Sequence, residues 1–271
     1  MMAMKAILVD NNRCIGCRAC MVACKSWNDR GTSSTRFFAG AGYQNPQNLN
    51  EDTWTLITYN EMSVSGRHNW VFGNLRCMHC DVPGCASCCP GKALEKLPEG
   101  PVVYHKNRCL GCRYCLLACP FLVPKFEWSD GLTPQITKCT MCADRVTNGG
   151  MPACVKSCPT QSLMFGDRDD MLAEAEERIR RHPSEYVHKV YGKDEVGGTC
   201  VLHLSKVPFE QIGYKTNLPK KSLLDFTEPA MHAVPPLIVG LALGLSATYK
   251  VIQRRIKLAE ERGQRKEDAH A

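Results

Sequence analysis

Sixteen of the eighteen cysteines in this sequence fall into four sets of four. In chain order the sets are Cys14, Cys17, Cys20 and Cys24; Cys77, Cys80, Cys85 and Cys89; Cys109, Cys112, Cys115 and Cys119; and Cys139, Cys142, Cys154 and Cys158. Three sets end in Cys-Pro, and set three, C-L-G-C-R-Y-C-L-L-A-C-P, has the C-x2-C-x2-C-x3-C-P spacing of a [4Fe–4S] ligand run. Because thiolates at this spacing bind iron, the sequence predicts four [4Fe–4S] clusters and a role in electron transfer.

The spacing within each set follows from the geometry of a four-iron cube. Three thiolates must reach three corners of one small cluster, so the first three cysteines lie on a short loop around it. The fourth cysteine follows a longer step, precedes a proline in most sets and binds the other cluster of a pair. The sets should therefore be counted in twos.

Two other uses of clustered cysteines fit the sequence less well. Zinc sites take four ligands each and have no need of the tight C-x2-C-x2-C-x3-C-P run. Disulfide scaffolds are usually short secreted domains, whereas this chain has 271 residues. The sequence therefore favours iron–sulfur clusters over zinc and over a disulfide framework.

Cys88 and Cys200 lie outside the four sets. Cys88 competes with its neighbour Cys89 for the last position of set two, but the proline that follows and the x3 gap from Cys85 favour Cys89. Cys200 lies in the alternating apolar stretch G-G-T-C-V-L-H-L, which predicts a buried cysteine that packs as a small hydrophobic residue.

The spacing between the sets leaves their pairing open. The gap before set two is long, whereas the gaps before sets three and four are short and equal, so set three can pair with either neighbour. If sets two and three pair, sets one and four close around them, and one two-cluster unit is inserted into another. The segment from about Arg30 to Asn69 is then an insertion, in which T-W-T-L-I-T-Y predicts a strand. After the last set, Asp169 to His182 predicts a surface helix.

An apolar segment lies near the C-terminus. From Pro229 to Tyr249 there is no Lys, Arg, Asp or Glu. As a helix this segment is about 31 Å long, against about 30 Å for the hydrocarbon core of a bilayer, so it predicts a transmembrane helix rather than a buried core helix. Gly240 and Gly244 form a G-x-x-x-G pair suited to packing on another membrane helix. His232 is interpreted as an interfacial residue, the alternative being a contact with haem or quinone in a neighbouring cytochrome.

Basic residues predict the orientation of this helix. Seven of them follow Tyr249, and only three lie in the twenty residues before Pro229. The positive-inside rule places such a tail in the cytoplasm and the cysteine-rich domain outside it. The N-terminal run M-M-A-M-K-A-I-L-V-D has neither a signal peptide nor a twin arginine, so we expect export with a partner that carries a signal. The net charge of +7 is partly due to this tail and does not indicate nucleic-acid binding.

The whole pattern resembles the four-cluster iron–sulfur (beta) subunits of the molybdopterin oxidoreductase superfamily. The resemblance rests on C-I-G-C-R-A-C-M-V-A-C-K-S-W-N, C-M-H-C-D-V-P-G-C-A-S-C-C-P, C-R-Y-C-L-L-A-C-P-F, and K-C-T-M-C-A-D-R followed by C-V-K-S-C-P-T. Within the superfamily, G-G-T-C-V-L-H-L-S-K-V-P-F-E and the apolar C-terminal segment are most similar to the beta subunit of membrane-bound formate dehydrogenase. They are nearly as similar to the corresponding subunit of membrane-bound nickel–iron hydrogenase. Lys25 replaces the usual proline after set one, which this family tolerates.

The resemblance implies an α+β fold of two nested ferredoxin-like units and a single transmembrane helix. The outer unit would comprise residues 1–70 and 136–228, the inner unit 71–135, the helix 229–252 and the basic cytoplasmic tail 253–271. The implied ligand sets are Cys14, Cys17, Cys20 and Cys158 for cluster 1; Cys77, Cys80, Cys85 and Cys119 for cluster 2; Cys109, Cys112, Cys115 and Cys89 for cluster 3; and Cys139, Cys142, Cys154 and Cys24 for cluster 4. No tryptophan replaces a ligand, so all four clusters are expected to be [4Fe–4S].

The resemblance also implies a function without a catalytic site in this chain. Such a subunit passes electrons from a catalytic subunit with a molybdopterin or tungstopterin site to a membrane cytochrome b that reduces quinone. The alternatives are the same role beside a nickel–iron hydrogenase or another molybdoenzyme, and a soluble ferredoxin whose apolar C-terminus docks on a partner.

Overall fold

The computed structural model describes residues 3–32, 35, 43–64, 66–128 and 135–268 as a mixture of helices and strands. The strands are β1 Lys5–Asp10, β2 Thr55–Val64, β3 Arg67–Arg76, β4 Leu94–Lys96, β5 Val102–Tyr104, β6 Lys125–Phe126, β7 Ile136–Thr137, β8 Leu163–Asp167 and β9 Val201–Leu204. The helices are α1 Ala19–Trp27, α2 Gly84–Ser87, α3 Tyr114–Ala118, α4 Ala143–Val146, α5 Ala153–Lys156, α6 Arg168–Arg181 and α7 Leu223–Asp268. This composition confirms the predicted α+β class.

The chain divides into two compact units, Met1–Leu223 and Leu224–Ala271. This division does not bear on the two nested ferredoxin-like units, because both would lie within the first compact unit. The nesting and its boundaries stay a prediction.

A three-stranded sheet in the order β8-β1-β9 forms the centre of the first unit. Strand β1 runs antiparallel to β8 and parallel to β9, so segments from both ends of the unit meet on it. Successive side chains of a strand point to opposite faces. Accordingly, Ile7 and Val9 pack into the large core beside the cysteines, whereas Leu8 packs under α6.

A buried ion pair holds α6 on this sheet. Arg178 Nη1 lies 2.7 Å from Asp10 Oδ2 at the end of β1, and the hydroxyl of Tyr186 donates to the same carboxylate oxygen at 2.9 Å. Breaking such a pair leaves an uncompensated buried charge, which typically destabilises a protein by about 3–5 kcal/mol. The helix itself agrees with the one predicted from Asp169 to His182.

Strands β2 and β3 form a long antiparallel hairpin that the sequence predicted only in part. Of the predicted stretch T-W-T-L-I-T-Y, the last five residues begin strand β2, whereas Thr53 and Trp54 precede it. Its partner β3 leads directly into the second cysteine set, so the hairpin is tied to the cysteine-rich core rather than set apart from it. The register places Thr55 opposite Arg76, at the end of the hairpin nearest the cysteines.

Two much shorter hairpins connect the cysteine sets. Strands β4 and β5 pair between sets two and three, and β6 pairs with β7 between sets three and four. Strands of two or three residues bury little apolar area by themselves. Metal binding supplies folding free energy in small cysteine-rich domains, so bound clusters are expected to stabilise these connections.

The second unit is almost entirely helix α7. Residues Leu223–Ala259 of this helix are long and apolar enough to cross a membrane, with a mean hydropathy of 1.6 in their most apolar stretch, none of which is buried. The helix contains Pro229, Pro235 and Pro236. Proline is tolerated in membrane helices, because neighbouring helices, side chains or water satisfy the backbone groups that it frees. One candidate span is thus present in the described part of the chain, and it includes the predicted segment 229–252.

Candidate iron–sulfur sites

All four cysteine sets lie on loops that lead into short helices. In sets one and three the loop residue before the helix has the same left-handed conformation, with φ 63° and ψ 7° at both Arg18 and Arg113. The preceding glycines also have positive φ, 70° at Gly16 and 67° at Gly111. A Cβ atom on Gly16 would lie 2.6 Å from the Phe72 ring, so only glycine fits there. Successive residues in this conformation form the kind of turn whose backbone N–H groups line anion and Fe–S sites in many proteins.

The first cysteine of every set accepts a hydrogen bond from the backbone two residues later. The N–H of Gly111 donates to Cys109 Sγ at 3.4 Å, and that of Met141 donates to Cys139 Sγ at 3.3 Å. Equivalent bonds join Gly16 to Cys14 and His79 to Cys77. Hydrogen bonds to cysteine sulfur tune the reduction potential of an iron–sulfur cluster. Such backbone hydrogen bonds are therefore present in all four loops, including two without glycine at this position.

The sulfurs are close enough to interact electrostatically, both within the sets and between them. The four ligand sets that the resemblance implies are named here groups A to D. Group A is Cys14, Cys17, Cys20 and Cys158; group B is Cys24, Cys139, Cys142 and Cys154; group C is Cys77, Cys80, Cys85 and Cys119; and group D is Cys89, Cys109, Cys112 and Cys115. In each group, cysteines of two different sets interact: Cys14 with Cys158, Cys24 with Cys139, Cys80 with Cys119, and Cys115 with Cys89.

Further interactions connect the groups in a row. Cys20 of group A interacts with Cys154 of group B. Cys139 of group B interacts with Cys77 of group C. Cys85 of group C interacts with Cys115 of group D. The order along the row is therefore A, B, C, D.

The two ends of the row lie closer to solvent than its middle. Cys17 in group A and Cys112 in group D are exposed. All four cysteines of group B are buried. The neighbours of the end groups are exposed and apolar; they include Ile15 and Val22 beside group A, and Leu110 and Leu117 beside group D.

The protonation chemistry of these thiols fits a bound iron–sulfur cluster. Burial, with the added effect of neighbouring sulfurs, raises the pKa of Cys20, Cys85 and Cys115 to about 12 and that of Cys142 to about 11. Metal ligation requires thiolates, and such buried anions need a compensating cation, which iron supplies. Within the described residues no three His, Cys, Asp or Glu side chains converge on a single-ion site. A [4Fe–4S] cluster does not require several side chains to converge on one ion, because each of its four iron atoms takes one cysteine.

Two buried basic side chains lie among the sulfurs, and they were not predicted from the sequence. Arg76 is 3% exposed and its Nη2 lies 3.0 Å from Cys154 Sγ of group B. Lys138 is 2% exposed, and its charge acts on group C, where it lowers the pKa of Cys77 against the larger effect of burial. The sequence carries a signal for both, because a basic residue precedes the first cysteine of every set. Only in sets two and four is that residue buried.

Cys200 is fully buried, as predicted, but its surroundings are not purely apolar. Its sulfur accepts a hydrogen bond from Lys96 Nζ at 3.2 Å and lies 3.5 Å from Asp81 Oδ1. Lys96 also donates to the carbonyl oxygen of Cys80, at 2.9 Å. This lysine therefore joins Cys200 to the backbone of group C, which the apolar pattern around Cys200 does not indicate.

Cys88 lies beside the group D sulfurs. It interacts electrostatically with Cys89 and Cys112, and it is the sulfur that acts most strongly on Cys115. Its own sulfur is only half-buried, and its thiol points toward the carbonyl oxygen of Cys85 at 3.6 Å. The preference for Cys89 as the ligand stays a prediction.

Comparison with known proteins assigns this cysteine-rich fold to a class. Two 4Fe-4S dicluster domain models match residues 13–93 and 68–168, and together these ranges contain all sixteen cysteines of the four sets. The first unit is therefore an iron–sulfur protein of the dicluster type.

Three relatives narrow the class further. The chain is 39% identical over 202 residues to the nitrate-inducible formate dehydrogenase iron-sulfur subunit of Escherichia coli, covering 73% of this chain and 67% of that protein. It is 35% identical over 249 residues to the formate dehydrogenase iron-sulfur subunit of Haemophilus influenzae, covering 91% of this chain and 78% of that protein. It is 32% identical over 280 residues to the hydrogenase-2 operon protein HybA of Escherichia coli O157:H7, covering 92% and 84%.

The chain belongs to this family of respiratory iron–sulfur subunits. Membership confirms the predicted class of function: an electron-transfer subunit of a respiratory oxidoreductase, without a catalytic site of its own. A catalytic partner subunit follows from the same membership.

Proposed function

We propose that this chain holds four [4Fe–4S] clusters and conducts electrons between two partner subunits at a membrane. Each cluster, when bound, accepts and releases one electron. Sulfur groups A, B, C and D would bind clusters 1, 4, 2 and 3, respectively. The observation that supports this assignment most strongly is an exchange between sets one and four. The last cysteine of each set lies with the other set: Cys158 lies with Cys14, and Cys24 lies with Cys139.

The same exchange supports the nesting of two ferredoxin-like units. Groups A and B share sets one and four, and groups C and D share sets two and three. The outer pair of sets would therefore enclose the inner pair in the sequence, and the two pairs meet where Cys77 interacts with Cys139.

The row of groups has the arrangement that a conducting subunit needs. Groups A and D are at its ends, each with an exposed cysteine, Cys17 or Cys112. Exposed apolar side chains such as Leu117, at 85%, give a second protein a surface on which to pack close to an end cluster. Groups B and C lie between these ends, where burial keeps their clusters away from solvent.

The partners that we propose are a catalytic subunit and a membrane subunit. The first would be a formate dehydrogenase-type subunit with a molybdopterin or tungstopterin site, because relatives at 35% and 39% identity are formate dehydrogenase subunits. The second would be a cytochrome b that reduces quinone. The hydrogenase relative keeps a nickel–iron hydrogenase as the alternative source of electrons.

We propose that α7 anchors the chain, with the cluster domain on the outer side of the membrane and the basic tail in the cytoplasm. The apolar part of α7 is followed by Arg254, Arg255 and Lys257, which supports a cytoplasmic end. His232 lies 3.5 Å from Glu228 Oε1 one turn earlier, which favours the interfacial interpretation of this histidine over a contact with haem or quinone.

The experiment that tests this function uses the complex purified anaerobically with its native partners. Formate should reduce the clusters, as seen by EPR, and added quinone should reoxidise them. Reduction by hydrogen but not by formate would assign the chain to a hydrogenase. Clusters that neither donor reduces in a complete complex would contradict the proposal.

A further inference from the structure

Arg76 lies at the end of β3, where the hairpin meets the cysteine-rich core. Its Nη2 donates to Cys154 Sγ at 3.0 Å and to Thr55 Oγ1 at 3.1 Å. The Thr55 hydroxyl in turn forms a hydrogen bond with the sulfur of Cys24. Two sulfurs of group B are thus joined through one guanidinium and one hydroxyl.

The other two nitrogens of the Arg76 guanidinium differ from Nη2. Its Nε and Nη1 are buried, and neither makes a hydrogen bond within the described part of the chain. Guanidinium carries five N–H donors and stays charged at every accessible pH, so its unused donors in the interior indicate a missing acceptor. A cluster bound beside Cys154 brings such acceptors, its sulfides and ligated sulfurs.

The contacts of Arg76 indicate which cluster this is. Its Nη2 lies 3.0 Å from Cys154 Sγ, and Thr55, which accepts its other hydrogen bond, also bonds the sulfur of Cys24. Both cysteines belong to group B. The other buried cation, Lys138, differs because two carbonyl oxygens, those of Val102 and Cys139, accept hydrogen bonds from its ammonium group. Arg76 is therefore the buried cation whose remaining N–H groups are available to donate hydrogen bonds to the cluster.

We propose that Arg76 is a tuning residue that raises the reduction potential of the cluster bound by Cys24, Cys139, Cys142 and Cys154. This inference rests on the proposed assignment of group B to one cluster. Reduction adds one electron, and therefore one negative charge, to a cluster beside a fixed positive charge. Because opposite charges attract strongly in a medium of low dielectric constant, the reduced cluster is stabilised more than the oxidised one. The guanidinium keeps all its protons, so no proton moves with the electron.

The position of group B gives this tuning a consequence for electron flow. Group B is second in the row, between group A at one exposed end and group C. A raised potential at this point draws electrons inward from the end cluster. Loss of the charge would leave the row of clusters in place but make the second cluster harder to reduce.

The test is a potentiometric titration of the full-length holoprotein, followed by EPR, with iron and sulfide content measured in the same samples. In Arg76→Gln one of the four clusters should show at least a tenfold lower ratio of reduced to oxidised form at a fixed potential, about 59 mV for a one-electron couple. Arg76→Lys keeps the charge and should shift the same cluster less. Thr55→Val keeps the guanidinium, removes one hydrogen bond to Cys24, and should give a smaller shift in the same direction.

Arg178→Met is the matched control, because Arg178 is also buried but pairs with Asp10 and Glu174 rather than with sulfur. It should lower the melting temperature and leave all four potentials unchanged. Unchanged potentials in an iron-replete Arg76→Gln protein would overturn the inference. If that variant does not bind iron, Arg76→Lys decides: a lowered potential of the one cluster supports the inference, and four unchanged potentials overturn it. A wild-type protein without four clusters would refute the proposed function instead.

Discussion

Cys158 and Cys14 lie together in the fold, so the last cysteine of set four meets the first cysteine of set one. The three-stranded sheet explains how: β8 follows Cys158 closely and pairs with β1, which immediately precedes Cys14. The backbone register of the sheet therefore brings the two distant cysteine sets side by side.

This relationship predicts the effect of removing Cys158. In Cys158→Ala, one cluster should be lost or degraded, the one that Cys14, Cys17 and Cys20 hold, although those ligands are far away in the sequence. Iron content and EPR spectra check this result, with two further variants for assignment. Cys17→Ala should remove the same EPR signal as Cys158→Ala, and Cys142→Ala a different one. If Cys158→Ala removes the Cys142 signal instead, the crossed ligation is wrong.

The neighbouring thiols Cys88 and Cys89 give a second prediction. Cys89 accepts a hydrogen bond from the backbone N–H of Ala93 at 3.2 Å, a contact expected for a ligand sulfur. Cys89→Ala should therefore lose the cluster shared with Cys109, Cys112 and Cys115, whereas Cys88→Ala should retain four clusters. Quantitative iron and sulfide analysis of the two variants distinguishes them. Loss of iron in Cys88→Ala alone would exchange the two roles.

A buried histidine predicts how stability depends on pH. Burial, helped by the charge of Arg76, lowers the pKa of His203 to about 3, and its ring lies 3.1 Å from the Tyr214 hydroxyl. The unfolded chain, with a histidine pKa near 6.5, binds the proton more readily than the folded protein does between these values. This contribution to stability is therefore complete above about pH 6.5 and falls by about 1.4 kcal/mol for each pH unit below it.

His203→Gln removes that proton-binding site and serves to measure the effect. Between pH 7.5 and 5.5 the wild-type melting temperature should fall by about 3–5 °C more than that of the variant. Any loss of iron in acid affects both proteins, so the difference between them isolates His203. Parallel melting curves over this pH range would show that His203 is not the cause.

The C-terminal helix gives a prediction about membrane attachment. Truncation before Pro229 should leave iron content and EPR spectra unchanged, move the protein from the membrane to the soluble fraction, and uncouple substrate oxidation from quinone reduction. The sidedness is measured separately by protease treatment of spheroplasts. A C-terminal tag should be protected, because the basic tail is expected inside. Cleavage of the tag from outside would invert the proposed orientation.

The candidate metal ligands could be identified from the sequence because their signal is local. Cysteine spacing identified the sixteen candidate ligands, and apolar length identified the C-terminal helix. The strand at T-W-T-L-I-T-Y and the helix after Asp169 were predicted for the same reason, since each pattern lies within a few turns of chain.

What the sequence could not predict depends on contacts between distant segments. Thr55 and Arg76 face each other only because β2 pairs with β3 in one particular register. The charge of Arg76, next to set two in the chain, acts on set four, and that of Lys138, next to set four, acts on set two. Spacing along the chain does not show that each of these basic residues acts on the set next to the other. This arrangement follows from the packing of the two central sulfur groups against each other.

The central claim is that the four sets of cysteines hold four iron–sulfur cubes, and metal analysis tests it most directly. Protein purified anaerobically should contain iron and acid-labile sulfide in equal amounts, equivalent to four [4Fe–4S] clusters per chain, with no bound zinc. Only two clusters per chain in fully loaded protein, or stoichiometric zinc, would contradict the account.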